Sequence, residues 1–489
     1  MATGDPLVEG KAASGASLTS LNASNIASGT VPSARMSGTY AIDVIGSGAQ
    51  LTDVGSFTYN ADDYGTHGTQ AAITAAIAAA VSGGGGTVFI PAGLWSITET
   101  IDIAYPGIWL VGEKGSSVFA GTTMGTILRR TTNFAGATIH INSDTRTVYQ
   151  CGVKDMDIQC YSATMTNYAH IELDNVTVCC IDNVYIQDGF FGVVVDGGEC
   201  NNIENCIIQA VYKHSVESTE TSLGIYIKGD TPWVNITNTQ ILGGGSGTVG
   251  APYYAYAYGI MIEAGDVISV ADCYIGGCRQ ANVVVSAYAN NQLSGVTFSH
   301  CFFDAPNGTY TGGMWTNVYG TFTPFANVFI QGTSGTALFS GITMDYCFFH
   351  GTGISAGLHV ATGAVVYNIT ATSCTFAHCL SAGVYILDGD IINIKNCTVL
   401  GCNQAGYSGY KGAGVFVQNT NRANIVGNDI GGDWNSATSA VQYYGIYMAG
   451  GNDYYTVMSN NCWGNTVGGY IAAASNYLVS GNANITDAP

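Results

Sequence analysis

Charge is what this sequence has least of. Only 9% of its 489 residues are charged, and 13 Lys and Arg stand against 33 Asp and Glu, a formal net charge of −20. So few cations exclude a nucleic-acid partner, which requires basic surface to displace counterions from phosphates. They also make a strongly anionic polymer a poor general partner, local basic patches aside. Long apolar runs are missing too. Gly, Asn and Asp interrupt each run well short of a bilayer span, so no membrane insertion is expected. The opening MATGDPLVEGKAASGAS lacks a basic stretch followed by an apolar one, and no secretory signal is expected from it. There is no CxxC pair or Cys/His spacing for a metal, no dense Asp loop for calcium and no GxSxG elbow. Neither metal nor cofactor is expected.

Other features are abundant. Apolar residues make up 47%, which argues against disorder. There are 66 Gly, 30 Tyr and 15 Cys. An odd cysteine count in a large chain without a secretory signal points to reduced thiols.

The chain repeats itself. The segments IENCII, VADCYI, FSHCFF, MDYCFF, ATSCTF and IKNCTV bring Cys206, Cys273, Cys301, Cys347, Cys374 and Cys397 into one register. Met156, Val184, Thr239 and Asn428 fill the same slot in VKDMDI, IDNVYI, ITNTQI and IVGNDI. A second short strand follows each frame, such as HIELD, GVVVD, GIYIK, GIMIE and GVFVQ. A period near two dozen residues, with several strands and no helix, predicts an all-β fold: a single-stranded parallel β-helix. Its coils stack about 4.8 Å apart, and the cysteines become small side chains packed at an inward corner.

The entry to the array, FTYNADDYGTHGTQAAITAAIAAAVSGGGGTVFIPAGLWSITETIDI, resembles the opening of the pectate-lyase-like right-handed β-helices. An aspartate-tyrosine-glycine turn, an alanine-rich helix, a glycine run and TVFIPAG carry the resemblance. GTHGTQAA stands where that superfamily has paired aspartates and a threonine. Ile73, Ile77 and Val81 form an apolar stripe on a short helix placed to cap the solenoid. The preceding SLTSLNASNIASGTVPSARMSGTYAID resembles segments of bacteriophage tail fibres and tailspikes. That resemblance implies three regions: an extended virion-attachment segment over 1–55, a cap and first coils over 56–130, and the β-helix over 131–489. It further implies a homotrimer on a virion, joined through the N-terminal segment to tail, baseplate or adaptor proteins, that recognises and often cleaves a host surface polysaccharide.

Insertions collect at one corner of the coil, so stacking makes them a continuous wall. They carry Tyr253, Tyr254, Tyr256, Tyr258, Trp315, Tyr319 and Trp434. Flat rings suit the apolar faces of pyranoses, and aromatics are equally common in subunit interfaces. Strand alternation predicts an outward row Val194, Tyr226, Met261, Val284, Phe329, His359, Tyr385, Phe416 and Tyr447. So apolar a row needs cover, from long loops or from neighbouring chains.

The adjacent outward row reads Asp174, Asp196, Lys228, Glu263, Ser286 and Gln331. Asp196 and Glu263 flank Lys228 at about 9.6 Å, and Asp174 lies about 4.8 Å from Asp196. These separations fall near those of inverting and retaining glycosidases respectively. Asp230 and Asp266 sit in the turns that follow. Ordinary turn chemistry also places Asp at such corners. Lys213, His214, Glu217 and Glu220, with Arg279 and His300, are the basic grouping a polysaccharide lyase would draw on. Hydrolase, lyase and non-catalytic receptor fibre all remain open here, with tailspike hydrolase the leading expectation.

Overall fold

The computed structural model describes residues 57–482 apart from 115–124, 146, 161–167, 210–221, 230–232, 244–257, 279, 288–291, 305–325, 333–337, 352–355, 362–364, 380, 404–411, 433–441 and 473–476. The N-terminal segment 1–55 and Asp230, Tyr253, Tyr254, Tyr256, Trp315, Tyr319 and Trp434 lie outside the described residues. So do Lys213, His214, Glu217, Glu220 and Arg279.

Each coil turns through three strands, and every strand lies parallel to its neighbours one coil away. The result is three long sheets, one of seventeen strands (sheet A) and two of thirteen (sheets B and C). Inward positions are apolar throughout. Ile181, Ile203, Ile236 and Val270 of sheet A, Ile186, Ile208, Ile241 and Ile275 of sheet B, and Val193, Ile225, Ile260 and Val283 of sheet C are all fully buried in one core. Side chains in register stack directly. The rings of Phe303, Phe349 and Phe376 follow one another at 4.8 and 4.5 Å between centroids.

The recurrent cysteine frame is the corner from sheet A to sheet B. The residue just before the frame's fourth position turns the chain with positive φ: Asn183, Asn205, Asn238, Asp272, His300, Tyr346, Ser373 and Asn396 all lie between +48° and +58°. Asn and Asp tolerate this left-handed conformation better than other side chains, which explains their frequency at the corner. The next residue points inward. Cys273, Cys301, Cys347, Cys374 and Cys397 occupy that slot on successive coils, each at most 2% exposed, and all fifteen cysteines are free thiols. Toward the C-terminal end asparagines take over: Asn428 Nδ2 donates to Asn460 Oδ1 at 2.9 Å, and Asn460 Nδ2 to Asn482 Oδ1 at 3.0 Å. A buried amide is tolerated there because the column satisfies it.

The helix Gln70–Ser82 packs on the first strands, with Ala72, Ile73, Ala76, Ile77 and Ala80 buried and Val81 against the same core. Gln70 ties the helix start to the coil, its Oε1 accepting from the Thr98 and Glu99 backbone at 2.9 and 3.0 Å. No helix among the described residues is long and apolar enough to cross a membrane. The insertions leave sheet B and return to sheet C, as between Gln209 and Leu223, Leu242 and Tyr258, and Phe303 and Ala326.

Candidate functional site

Alternation along the strands of sheet C gives two outward rows. Pairing from coil to coil places Asp102, His140, Glu172, Val194, Tyr226, Met261, Val284, Phe329, His359, Tyr385, Phe416 and Tyr447 in the first. Asn142, Asp174, Asp196 and Lys228 form the second. Glu263 continues it, since its N–H donates to Ile227 O at 2.9 Å, beside Lys228. Both rows run in the order read from the sequence, and the first extends further back, to Glu172, His140 and Asp102.

The polar groups are concentrated at the start of these rows, in two neighbouring sets of contacts. His140 lies between two carboxylates, Nδ1 3.1 Å from Asp102 Oδ1 and Nε2 3.6 Å from Asp174 Oδ2. Asn142 Nδ2 donates to the same Asp102 oxygen at 3.4 Å. One coil on, Lys228 Nζ sits 2.8 Å from Asp196 Oδ2 and 5.8 Å from the centre of the Tyr226 ring. The Tyr226 hydroxyl donates to Glu263 Oε2. Gly229 lets the second set close: its φ is +72°, and a Cβ there would fall 2.6 Å from Asp196 Oδ1.

Glu172 stands between the two halves, and sequence reasoning missed it. Burial pushes its carboxyl pKa up. His140 and Lys228 pull the other way, and the negative charges of Asp174 and Asp196 add to the rise. The cluster thus combines a carboxyl biased toward its acid form with a carboxylate, Asp196, held beside an ammonium. A carboxyl raised by burial next to a second carboxyl that is not so buried can divide the work of acid and base with it.

Two expected site residues are placed elsewhere. Asp266 is exposed on sheet A, in the short strand Gly265–Asp266, and accepts from the Ser294 hydroxyl. It does not join Asp174, Asp196 and Glu263, because the chain has already turned the corner out of sheet C. Tyr258 is not a loop side chain. It opens the strand Tyr258–Ile262, is 5% exposed, and packs with Leu223, Met261 and Ala281.

Further along, the outward row changes character. Met261, Val284, Phe329 and Phe416 are at most 4% exposed within the single chain. His359, Tyr385 and Tyr447 of the same row are only partly buried. His359 lies in it with both ring nitrogens buried and without a hydrogen bond, its ring set edge-on to Phe329 and Tyr385 at 5.1 Å each. Burial lowers its pKa to about 4. Among the described residues no group of three or more His, Cys, Asp or Glu is arranged to hold a metal ion.

Comparison with known proteins gives the class of fold first. The model of the right-handed β-helix region matches residues 223–430, and the chain folds as a right-handed parallel β-helix. Among solved structures, it is similar to the Dettilon tailspike protein, at 12% identity over 86% of this chain and 68% of that one, with a TM-score of 0.50. It is similar also to the DFA-IIIase of Arthrobacter chlorophenolicus A6 without its lid, at 9% identity over 87% and 98% of the two chains, with a TM-score of 0.51. An A-module of mannuronan C-5 epimerase from Azotobacter vinelandii aligns at 16% identity over 86% and 100%, with a TM-score of 0.44. At such identities the likeness is one of fold. No curated protein sequence matches the chain.

Proposed function

We propose that this chain is a phage tailspike that depolymerises a host surface polysaccharide by glycoside hydrolysis at the head of sheet C. The observation that carries the reading is the placing of Glu172, whose carboxyl pKa is raised by burial, near Asp196, which lies 2.8 Å from Lys228 Nζ. Their backbone positions are one coil and two residues apart, about 8 Å from coil spacing and strand rise. That separation leaves room for a water between the carboxyls, as inversion requires. Glu172 donates its proton to the glycosidic oxygen. Asp196 takes the proton of the water that attacks the anomeric carbon from the opposite face. Glu263, which accepts the Tyr226 hydroxyl, and Asp174, which faces His140, hold the sugar hydroxyls. The aromatic residues of the corner insertions, Tyr253, Tyr254, Tyr256, Trp315, Tyr319 and Trp434, supply flat faces for the sugar rings.

The fold supports this reading because a phage tailspike uses it too, and the Ser-, Ala- and Asn-rich segment 1–55 resembles a tail attachment region. The working molecule is a homotrimer on the virion, joined to the tail or an adaptor through that segment.

Purified protein mixed with polysaccharide from the host provides the test, following polymer size, new reducing ends and ultraviolet absorbance of unsaturated uronate together. Hydrolysis gives shortening and reducing ends without absorbance, and Glu172→Gln abolishes both. Rising absorbance transfers the protein to the lyases and to the grouping around Lys213 and His214. Binding at unchanged length makes it a receptor fibre without chemistry.

A further inference from the structure

We infer that the polymer cut at the head of sheet C is neutral or amino-substituted around the scissile bond, and carries no uronic, sialic or phosphate group there. The inference rests on the functional reading above and adds the substrate class to it.

The argument is one of charge already spent. Asp102, Glu172, Asp174 and Asp196 lie on sheet C, and Glu263 lies just past its strand Tyr258–Ile262. Against them Lys228 is the only Lys or Arg among the described strands of that sheet. It is held by Asp196 at 2.8 Å and lies by the Tyr226 ring. His140 has a carboxylate at each ring nitrogen. Neither basic side chain is left to receive an acidic sugar, and five acidic side chains crowd around the one lysine and the one imidazole. An acidic sugar entering this field would be repelled by carboxylates on both rows. Among the described residues of sheet C it would also find no arginine for the bidentate pairing by which carboxylates and phosphates are recognised. Uronate elimination is disfavoured for the same reason, since it needs positive charge at the carboxylate to stabilise the enolate. A hydroxyl-rich neutral sugar meets the opposite situation, a dense set of carboxylate acceptors. An ammonium sugar gains further from the field.

The test uses defined bacterial surface polysaccharides in matched pairs: each acidic polymer beside its carboxyl-reduced form, each neutral one beside its C6-oxidised form. Retardation of the full-length protein in gels containing each polymer is measured at low and at physiological salt. The expected result is that neutral members retard it at least tenfold more strongly than their acidic partners, with the gap narrowing as salt screens the field. Retardation by an acidic polymer that its carboxyl-reduced form loses, and that Lys228→Gln abolishes, overturns the charge inference and leaves the carbohydrate reading standing. Equal retardation by both members of the pairs overturns it as well. If no polymer in any form retards or is shortened by the protein, both readings fall.

Discussion

The outer face of sheet C is two surfaces built on one scaffold. From Asp102 to Glu263 it is a cluster of carboxylates, an imidazole, an ammonium and a phenol, half open to water. From Met261 to Tyr447 the same row, in the same register, is a covered aromatic seam in which Phe329 and Phe416 are 1% exposed. The backbone does not distinguish the two. Inward positions are equally filled by Ile and Val along both, so the solenoid is held up from inside, and each coil's outward pair is free to be chemical or adhesive. The first stretch is where substitutions should change turnover and spare the fold. The second should do the reverse.

The largest expected effect is on turnover. Glu172→Gln should lower the rate of reducing-end release by about 10²–10⁴, the usual contribution of a positioned acid, while the melting temperature holds or rises because a partly buried acid has been removed. In the wild type, the same assay should lose rate as pH rises through the elevated pKa of Glu172, since the proton donor is then lost. Full activity in the variant would remove Glu172 from the chemistry.

Phe329→Ala should do the opposite, costing about 3–5 kcal/mol in denaturant unfolding with the rate per folded molecule unchanged. If turnover fell with stability intact, the seam would belong to the site and the two-surface division would fail. His359→Phe sharpens the division from the acid side. Folding holds the imidazole neutral down to about pH 4, whereas the unfolded chain takes up its proton near 6.5. The stability this group confers is whole above about pH 6.5 and lost as pH falls toward 4, a loss of at most about 3 kcal/mol. The phenylalanine variant should lose less melting temperature than the wild type between pH 7 and pH 5, and an equal loss in both would place the titrating group elsewhere. Smallest of all, Lys228→Ala should change stability by less than about 1 kcal/mol, as befits a pair with solvent access. Its effect should appear instead as a tenfold or smaller loss of rate, checked on the same polymer.

Most of the scaffold could be read from the sequence because it is written many times over. Ten frames with one inward slot leave little freedom in register, and period-two alternation in VVVD, YIK and MIE then fixes the outward rows. The site was only partly legible. Asp174, Asp196, Lys228 and Glu263 fall in one row as read. Glu172 was missed because it sits in the neighbouring row, two residues before Asp174. A carboxylate at the head of an otherwise apolar row was the available signal. Tyr258 could have been placed by setting YGIMI under LGIYI, where it takes the slot of Leu223. Asp266 could not, because the two-residue strand Gly265–Asp266 that carries it onto sheet A has no pattern of its own. What sequence lacks in principle is proximity between His140, Asp102 and Asp174, which only the stacking of three coils creates.

The column of unlinked thiols has a mechanical meaning. All fifteen cysteines are free, so no covalent tie runs along the long axis between one coil and the next except the chain itself, wound around it. Backbone bonds between coils point along that axis. A pull on the two ends must therefore break a whole coil's bonds together, whereas a sideways tug on a frayed end can unwind them singly. Stacked coils held in this way resist load along the stacking axis and yield to peeling.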